Sequence, residues 1–274
     1  MSTDTRTPGH PADGAGYTLD VSAVPPVPLA RLVEVEARKV VDTRAGFWFG
    51  LGVLGLVTLA VVLGGLFFED TGQTYETLLS VAGGTLGYFL PVLVMLLVTS
   101  EWSQRTGLST FTLEPRRSRI VVAKLIAGFA FSAVGVIYAV VLAAVGVLLS
   151  PVNGGGMDWS LGVAPVRSLV LSTVISVLVA FALAMLVRNS PAAIVGYFLY
   201  TLVLPGVAAV LGELISGLKS VIPWIEFNTA QGPLFADDMS PTGEQWAQLV
   251  VSGTIWLVIP FVLGLTRLLR AEVK

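Results

Sequence analysis

Few residues in this sequence could carry out acid–base, nucleophilic or metal chemistry. The chain has no cysteine and a single histidine, His10, which lies in a polar N-terminal segment. Thiol catalysis and cysteine-based metal sites are therefore excluded, and no histidine cluster exists for general-base catalysis or metal binding. The adjacent carboxylates Asp237 and Asp238 are flanked by Pro, Gly and Ser, so we predict a solvated turn there and no metal site.

ATP hydrolysis needs a glycine-rich phosphate loop that ends in Gly-Lys-Ser/Thr. The sequence contains no Gly-Lys pair. We therefore predict that the chain is not an enzyme and binds no cofactor. Any ATPase that works with this chain must be a separate polypeptide.

The most unusual polar segment is SEWSQRTGLSTFTLEPRRSRIVVAK, residues 100–124, between two apolar runs. Its cations are Arg105, Arg116, Arg117, Arg119 and Lys124. A connection between antiparallel helices needs only a few residues, and this one is far longer. Its middle, residues 106–113, could form a short surface helix, which Glu114-Pro115 would end because proline disfavours helix in the residue before it. The pattern predicts a rigid projection suited to contact with a soluble partner. Simple topology anchoring by positive charge is the alternative.

The composition indicates that lipid is part of the solvent of this protein. Hydrophobic residues make up 54% and charged residues 12% of the 274 residues, and the mean hydropathy is +0.83. Soluble domains carry about 25% charged residues. A chain with so little charge cannot cover a water-facing surface.

Six stretches have the length and apolar character of membrane-spanning helices. They are residues 47–68, 78–99, 125–149, 168–187, 191–211 and 246–265. Backbone polar groups in lipid must bond within the segment, and the alternation typical of barrel strands is absent, so helices are predicted. The fold class is therefore an all-α polytopic membrane protein.

The loop cations predict the orientation of these helices. All of the 16 Lys and Arg residues except Arg167 and Lys219 fall on one side. Both termini and residues 100–124 are therefore expected in the cytoplasm. The polar, Pro- and Gly-rich residues 1–28 are expected to form a disordered tail and not a signal peptide.

The residues before the first apolar stretch predict an amphipathic helix at the inner membrane surface, residues 29–45. Its apolar side chains are Leu29, Leu32, Val33, Ala37 and Val40, with Arg31, Glu34, Arg38 and Asp42 opposite. Glu36 falls on the apolar face, where an acid needs a cationic partner. Lys39 or the segment 100–124 could supply it. A plain surface-anchoring helix is equally compatible with the periodicity.

Two segments together resemble the ABC-2-type permeases of ABC exporters, most closely the small six-span permeases of high-GC Gram-positive bacteria. They are VEARKVVDTRAGFW and SEWSQRTGLSTFTLEPRRSRIVVAKLIAG. The matching positions are Glu36, Lys39, Thr43 and Arg44 in the first, and Glu101, Arg105, Thr106, Glu114, Pro115, Arg116, Arg117 and Lys124 in the second. The resemblance extends over the chain after the N-terminal tail.

The resemblance implies a type V exporter-like architecture in a bacterial plasma membrane. Residues 29–45 would be the interfacial elbow helix, and residues 206–245 would contain short helices that re-enter the outer leaflet. Residues 101–119 would be the coupling helix that docks on a separate ATPase subunit, which holds ATP and Mg²⁺. The docking residues would be Glu101, Arg105, Thr106, Leu108, Phe111, Glu114, Pro115, Arg116, Arg117 and Arg119. A second permease, either a copy or a paralogue, would complete the transporter, with no nucleic-acid partner.

The substrate is expected to be hydrophobic or amphipathic, such as a drug, an antibiotic or a lipid, because no charge lies within the apolar stretches. Candidate path residues are Tyr88, Tyr138, Tyr197, Tyr200 and Thr201, although packing is an alternative role for each. An ion-coupled secondary transporter or channel is the alternative function, and it would need an ionisable group at membrane depth. Glu213 is the nearest candidate, and we favour a structural role for it.

Overall fold

The computed structural model of the protein describes residues 27–68, 73–104 and 116–270. Within these ranges the chain forms helices and no β-strand. Six of the helices are long and apolar enough to cross a membrane, which confirms the predicted number and indicates a multi-pass membrane protein. The predicted disordered tail, apart from residues 27 and 28, lies outside the described residues.

The long helices cover the six apolar stretches and extend beyond them, except that α2 ends at Phe67, one residue before the end of the first stretch. In chain order the helices are α1 Leu29–Val41, α2 Arg44–Phe67, α3 Tyr75–Ser103, α4 Arg117–Leu149, α5 Val163–Val187, α6 Ser190–Leu214, α7 Ile222–Ile225, α8 Phe227–Ala230, α9 Gly232–Phe235 and α10 Gly243–Arg270. Helix α4 ends in a 3₁₀ turn, Ser150–Asn153. The apolar stretch 125–149 thus occupies only part of α4, which already begins at the cation Arg117.

The chain turns sharply between α1 and α2. Thr43 precedes α2, and its hydroxyl accepts a hydrogen bond from the Gly46 amide at 3.2 Å, which satisfies one of the unpaired donors at the helix start. The backbones are so close that a Cβ on Gly46 would lie 2.1 Å from the carbonyl oxygen of Val40. Only glycine fits this turn, which fixes α1 against the start of α2.

Helix α3 lies at the centre of the bundle. It packs against α2, α4 and α5, and α1 crosses the ends of α3 and α4. Half of the most apolar part of α3 is buried (50%), compared with 17% in α6. Helix α6 therefore leaves most of its apolar surface for lipid or for a partner.

Helices α2 and α4 approach each other at two glycines. A Cβ on Gly65 would lie 2.4 Å from the carbonyl oxygen of Gly146, and one on Gly146 would lie 2.9 Å from a side-chain carbon of Val61. Small residues allow this backbone contact, as in many membrane helix pairs.

Helices α6 and α10 each contain one π-helical turn in the middle, Leu199–Val203 and Thr254–Val258. Each turn is followed two residues later by a proline, Pro205 or Pro260, in the matching sequences LVLP and LVIP. A proline removes a backbone donor and crowds the carbonyl one turn earlier, and a wider turn relieves both effects. The rings of Tyr200 and Trp256 meet between the two helices with centroids 4.8 Å apart.

The short helices α7, α8 and α9 fill the end of the bundle beyond α6. Helices α7 and α8 pack against the first part of α10, and α9 contacts α5. The indole nitrogen of Trp256 donates a hydrogen bond to the carbonyl of Ile225 at 2.8 Å, which joins α10 to α7. The predicted outer segment, residues 206–245, includes these helices and the last part of α6.

Candidate functional site

Four charged side chains form a buried ring where α1 crosses the ends of α3 and α4. The Lys124 ammonium lies 2.6 Å from Glu36 Oε2 and 2.9 Å from Glu101 Oε2. The Lys39 ammonium lies 2.6 Å from Glu36 Oε1 and 3.1 Å from Glu101 Oε1. Each ammonium therefore contacts both carboxylates, and the ring has no net charge. We call these four residues the charge ring.

Three of the four residues of the charge ring are buried, and their charged groups are hydrogen-bonded. Glu36, Glu101 and Lys124 are each 3–4% exposed. Lys124 also donates to the Leu97 carbonyl at 2.7 Å, and to the Ser100 hydroxyl at 3.2 Å. Buried ions are tolerated only when they are paired and their remaining hydrogen-bonding groups are satisfied, and both conditions hold here.

Lys39 closes the charge ring on its more exposed side. Burial by itself lowers the pKa of the Lys39 ammonium, but the charges of Glu101 and Glu36, with hydrogen bonds to both, outweigh that effect. The pKa of Lys39 therefore lies above its ordinary value. The protonated ammonium is the form that the folded protein favours.

The charge ring brings together residues that the sequence placed in two separate segments. Glu36, on the apolar face of α1, is paired with both of the cation sources that the sequence offered, Lys39 and, in the segment 100–124, Lys124. Arg44 lies at the exposed start of α2, outside the charge ring. Six of the predicted docking residues lie outside the described residues: Arg105, Thr106, Leu108, Phe111, Glu114 and Pro115.

Two of the arginines near the end of the segment 100–124 are tied into the fold by hydrogen bonds. Arg117 donates a hydrogen bond to the Leu268 carbonyl at 2.6 Å, which joins α4 to the end of α10. Arg119 donates to the carbonyl of Val27, just before α1. Arg116 is exposed and directly precedes α4.

A second cation group lies at the same end of the bundle. Arg188 ends α5 in a left-handed backbone conformation, with φ 56°, and its guanidinium lies 5.3 Å from the ring centre of Trp102. Burial lowers the pKa of Arg188, and the charges of Arg267 and Arg117 lower it further. Cations from α4, α5 and α10 therefore share this end of the bundle.

A cavity of about 380 Å³ lies among α3, α5, α6 and the short helices α8 and α9. This volume is within the usual range for small-molecule pockets, about 300–1,000 Å³. The structure brings four of the candidate path residues to its wall: Tyr88, Tyr197, Tyr200 and Thr201. Tyr138 is elsewhere, because its hydroxyl lies 2.5 Å from the Thr58 hydroxyl between α2 and α4.

Most of the polar groups around the cavity give their protons to backbone carbonyls. The hydroxyls of Ser80, Ser172, Ser176 and Tyr197 donate to Glu76, Leu169, Thr173 and Gly87, respectively, at 2.9–3.2 Å. The Gln231 amide donates to the Phe227 carbonyl at 3.0 Å. Hydroxyl and amide oxygens remain as acceptors. No charged side chain lines the cavity in the part of the chain that the structure describes.

The sequence interpretation missed one buried acid next to this cavity, Glu226, which is 3% exposed. Its carboxylate accepts hydrogen bonds from the backbone amides of Asn228 and Thr229, at 3.0 and 2.5 Å. It also accepts from the Asn228 side-chain amide at 2.8 Å and the Thr229 hydroxyl at 2.6 Å. The sequence Glu-Phe-Asn-Thr, in which an acid caps a helical turn, was the available signal. In contrast, the Glu213 side chain is 82% exposed, 3.8 Å from Lys219.

The remaining carboxylate pair lies on the surface. Asp237 and Asp238 are both exposed, and Asp238 accepts a hydrogen bond from the Ser240 hydroxyl at 2.5 Å. Among the described residues no group of three or more His, Cys, Asp or Glu side chains is arranged to hold a metal ion.

Comparison with known proteins adds no relative: no protein-family model matches the chain, and no curated protein matches it significantly in sequence.

Proposed function

We propose that this chain is the permease subunit of an ATP-driven transporter and that a separate ATPase subunit drives it from the cytoplasm. The observation that carries the proposal is the charge ring. The segment between α3 and α4 leaves α3 just after Glu101 and enters α4 just before Arg117, and Lys124 of α4 is paired with Glu101 of α3. A force applied to that segment would therefore move α3, α4 and α1 as one unit.

The sequence supports the same proposal. The segment 100–124 is longer than a simple connection needs and carries apolar and basic residues that suit a protein contact. The chain lacks a phosphate-binding motif, so ATP and Mg²⁺ belong to the partner. Its resemblance to ABC-2-type permeases assigns the docking role to residues 101–119, the elbow role to α1, and the direction of transport to export. The same resemblance implies a dimer of permeases in a bacterial plasma membrane, with both termini in the cytoplasm.

The cavity supports a small-molecule substrate. Aromatic, hydroxyl and apolar side chains of the long apolar helices line it, and a hydrophobic or amphipathic compound could enter from lipid. A drug, an antibiotic or a lipid would suit this environment better than a bare inorganic ion.

Co-purification tests the proposal most directly. The tagged chain, extracted from its native membrane in mild detergent, is expected to retain a soluble ATPase in stoichiometric amount. Arg116→Glu combined with Phe111→Ser should release that ATPase, because both changes lie in the docking segment and avoid the structural hydrogen bond of Arg117. The matched control is Arg31→Glu, an exposed charge reversal on α1, which should leave the complex intact.

A chain that purifies without an ATPase at every ionic strength would contradict the proposal, and so would a complex that is unaffected by the double substitution. Folding of each variant is checked by size-exclusion chromatography.

Glu226 favours one second candidate, an ion-coupled secondary transporter. Ion-coupled carriers use ionisable groups buried at membrane depth, and Glu226 is buried without a cationic partner among the described residues. Uptake into liposomes driven by a proton or sodium gradient, without an ATPase and abolished by Glu226→Gln, would favour this candidate over the permease.

A further inference from the structure

The cavity among α3, α5 and α6 has the chemistry of a site for a particular class of ligand. We propose that it binds an amphipathic organic cation, such as a protonated amine on an aromatic or aliphatic body, and that Glu226 supplies the charge that selects it. The idea that this cation is the transported substrate rests on the proposed function. The binding itself does not.

The first step is the negative charge. All four hydrogen bonds to Glu226 come from neutral donors of Asn228 and Thr229, which is the arrangement that suits an ionised carboxylate. No cation of the described residues is paired with it. Neutral donors solvate the carboxylate but leave its charge uncompensated, so its field extends into the surrounding low-dielectric region.

The second step is the connection between that charge and the cavity. Asn228 lines the cavity, and its side-chain amide bridges Glu226 Oε1, at 2.8 Å, and the Tyr200 carbonyl, at 3.2 Å. Glu226 is therefore one hydrogen bond away from the cavity wall. Tyr200, whose backbone carbonyl takes part in this bridge, is also part of that wall.

The third step is the character of the wall itself. Four of its hydroxyls donate to backbone carbonyls, which leaves their oxygens as acceptors for a ligand that brings its own donors; they belong to Ser80, Ser172, Ser176 and Tyr197. Three tyrosine rings, Tyr88, Tyr197 and Tyr200, add aromatic faces that attract cations. A protonated amine supplies donors and positive charge together, whereas a carboxylate or a neutral amide matches fewer of these features.

The fourth step is the space in the cavity for the apolar part of the cation. Leu79, Leu169, Ile175 and Val179 form the apolar part of the wall. Gly84 and Gly87 of α3 also line the cavity, and a Cβ on either would meet no atom within 4 Å. The two glycines therefore keep space open.

The test uses three fluorescent probes that share one body and differ in charge. Dansylcadaverine carries a primary ammonium, its N-acetyl derivative is neutral, and dansyl-6-aminohexanoic acid is an anion. Each is titrated against the full chain in nanodiscs of zwitterionic lipid, with empty nanodiscs as the background, and the dansyl emission reports binding. We expect saturable binding of dansylcadaverine, with at least tenfold weaker binding of the other two probes.

Two variants locate the site. Glu226→Gln should weaken dansylcadaverine binding by about tenfold and leave the N-acetyl derivative unchanged, while the exposed control Glu213→Gln should change neither. Gly87→Leu should fill the cavity and abolish binding of all three probes. Its matched control is Gly52→Leu on α2, where a Cβ also meets nothing within 4 Å and which lies outside the cavity.

Equal affinity for the three probes would overturn the proposal, as would binding no stronger than to empty nanodiscs. Dansylcadaverine binding that survives Gly87→Leu would also overturn it, and this variant decides the matter if Glu226→Gln does not fold. The measurement uses neither ATPase nor nucleotide. A chain that selects the cation but captures no ATPase would therefore contradict only the permease proposal, and a chain that captures the ATPase but does not discriminate among the probes would contradict only this one.

Discussion

Lys124 and Glu36 are 88 residues apart in the sequence and form a buried ion pair, with Nζ 2.6 Å from Oε2. The pair joins the middle of α1 to the second turn of α4, and Glu101 of α3 completes the connection at 2.9 Å from the same ammonium. Helices α1, α3 and α4 are thus held at one point. This geometry explains why an acid can occupy the apolar face of α1.

The first prediction concerns the charge balance of this ring. Lys124→Met would leave two buried carboxylates with only Lys39 between them, so we expect a loss of about 3–5 kcal/mol in the free energy of unfolding. The double variant Glu101→Gln, Lys124→Met removes one charge of each sign and should recover part of that loss. Unfolding in mixed micelles, followed by tryptophan fluorescence, measures the free energy of unfolding of the single and the double variant.

The control for this prediction is the surface pair between Arg38 and Glu34 on α1, whose side chains are 71% and 56% exposed. Arg38→Met should cost about 0.5 kcal/mol or less, because solvent screens an exposed pair. If Lys124→Met were no more destabilising than Arg38→Met, the buried ring would have no special role in stability.

The second prediction concerns alkaline pH. Because the pKa of Lys39 is raised above its ordinary value of 10.5, its contribution to stability is complete below that pH and is lost as the pH rises through the folded value. The comparison variant is Lys39→Arg, whose guanidinium stays charged throughout this range. The free energy of unfolding of the wild-type protein should fall relative to Lys39→Arg only above about pH 10.5. Parallel curves up to pH 11.5 would show that Lys39 contributes no such linkage.

The third prediction concerns the glycine contact between α2 and α4. A Cβ at Gly65 would meet the Gly146 carbonyl at 2.4 Å, a backbone atom that cannot move aside cheaply, so Gly65→Ala should destabilise the protein by about 1–3 kcal/mol. Gly55→Ala is the control on the same helix, where a Cβ meets nothing within 4 Å. It should be neutral or stabilising by up to about 1 kcal/mol, because alanine favours helix. Equal effects of the two substitutions would argue against the close contact.

Hydropathy and periodicity were sufficient to predict six apolar helices, since length and composition are local properties. They also marked Glu36 as an acid in need of a cation, because its place on α1 follows from helical spacing. The start of α4 was harder to predict. A hydropathy profile assigns Arg117 and Lys124 to a polar loop. Both lie in α4, and they donate hydrogen bonds to the carbonyls of Leu268 and Leu97, respectively.

Features that depend on contacts between residues distant in the sequence could not be predicted from hydropathy and periodicity. The sequence Glu-Phe-Asn-Thr indicates only that Glu226 caps a helical turn; its burial follows from the packing of α8 between α7, α9 and α10, which no local pattern records. The separation of Tyr138 from the other tyrosines depends on which face of α4 meets α2. The π turns left one local trace, the repeated LV(L/I)P sequence that ends at Pro205 and Pro260.

The fourth prediction concerns orientation in the membrane, and the absence of native cysteine makes it simple to test. Ser118 and Ser160 are both exposed and lie at opposite ends of α4: Ser118 is at its start, the end that carries Lys124 of the charge ring, and Ser160 is in the connection after its other end. The distribution of cations predicts that Ser118 lies in the cytoplasm. In intact cells, a membrane-impermeant maleimide should label Ser160→Cys at once and Ser118→Cys only after permeabilisation. Labelling in the reverse order would place the charge ring outside the cell, where no ATPase could reach the segment between α3 and α4, and the permease proposal would fail with it.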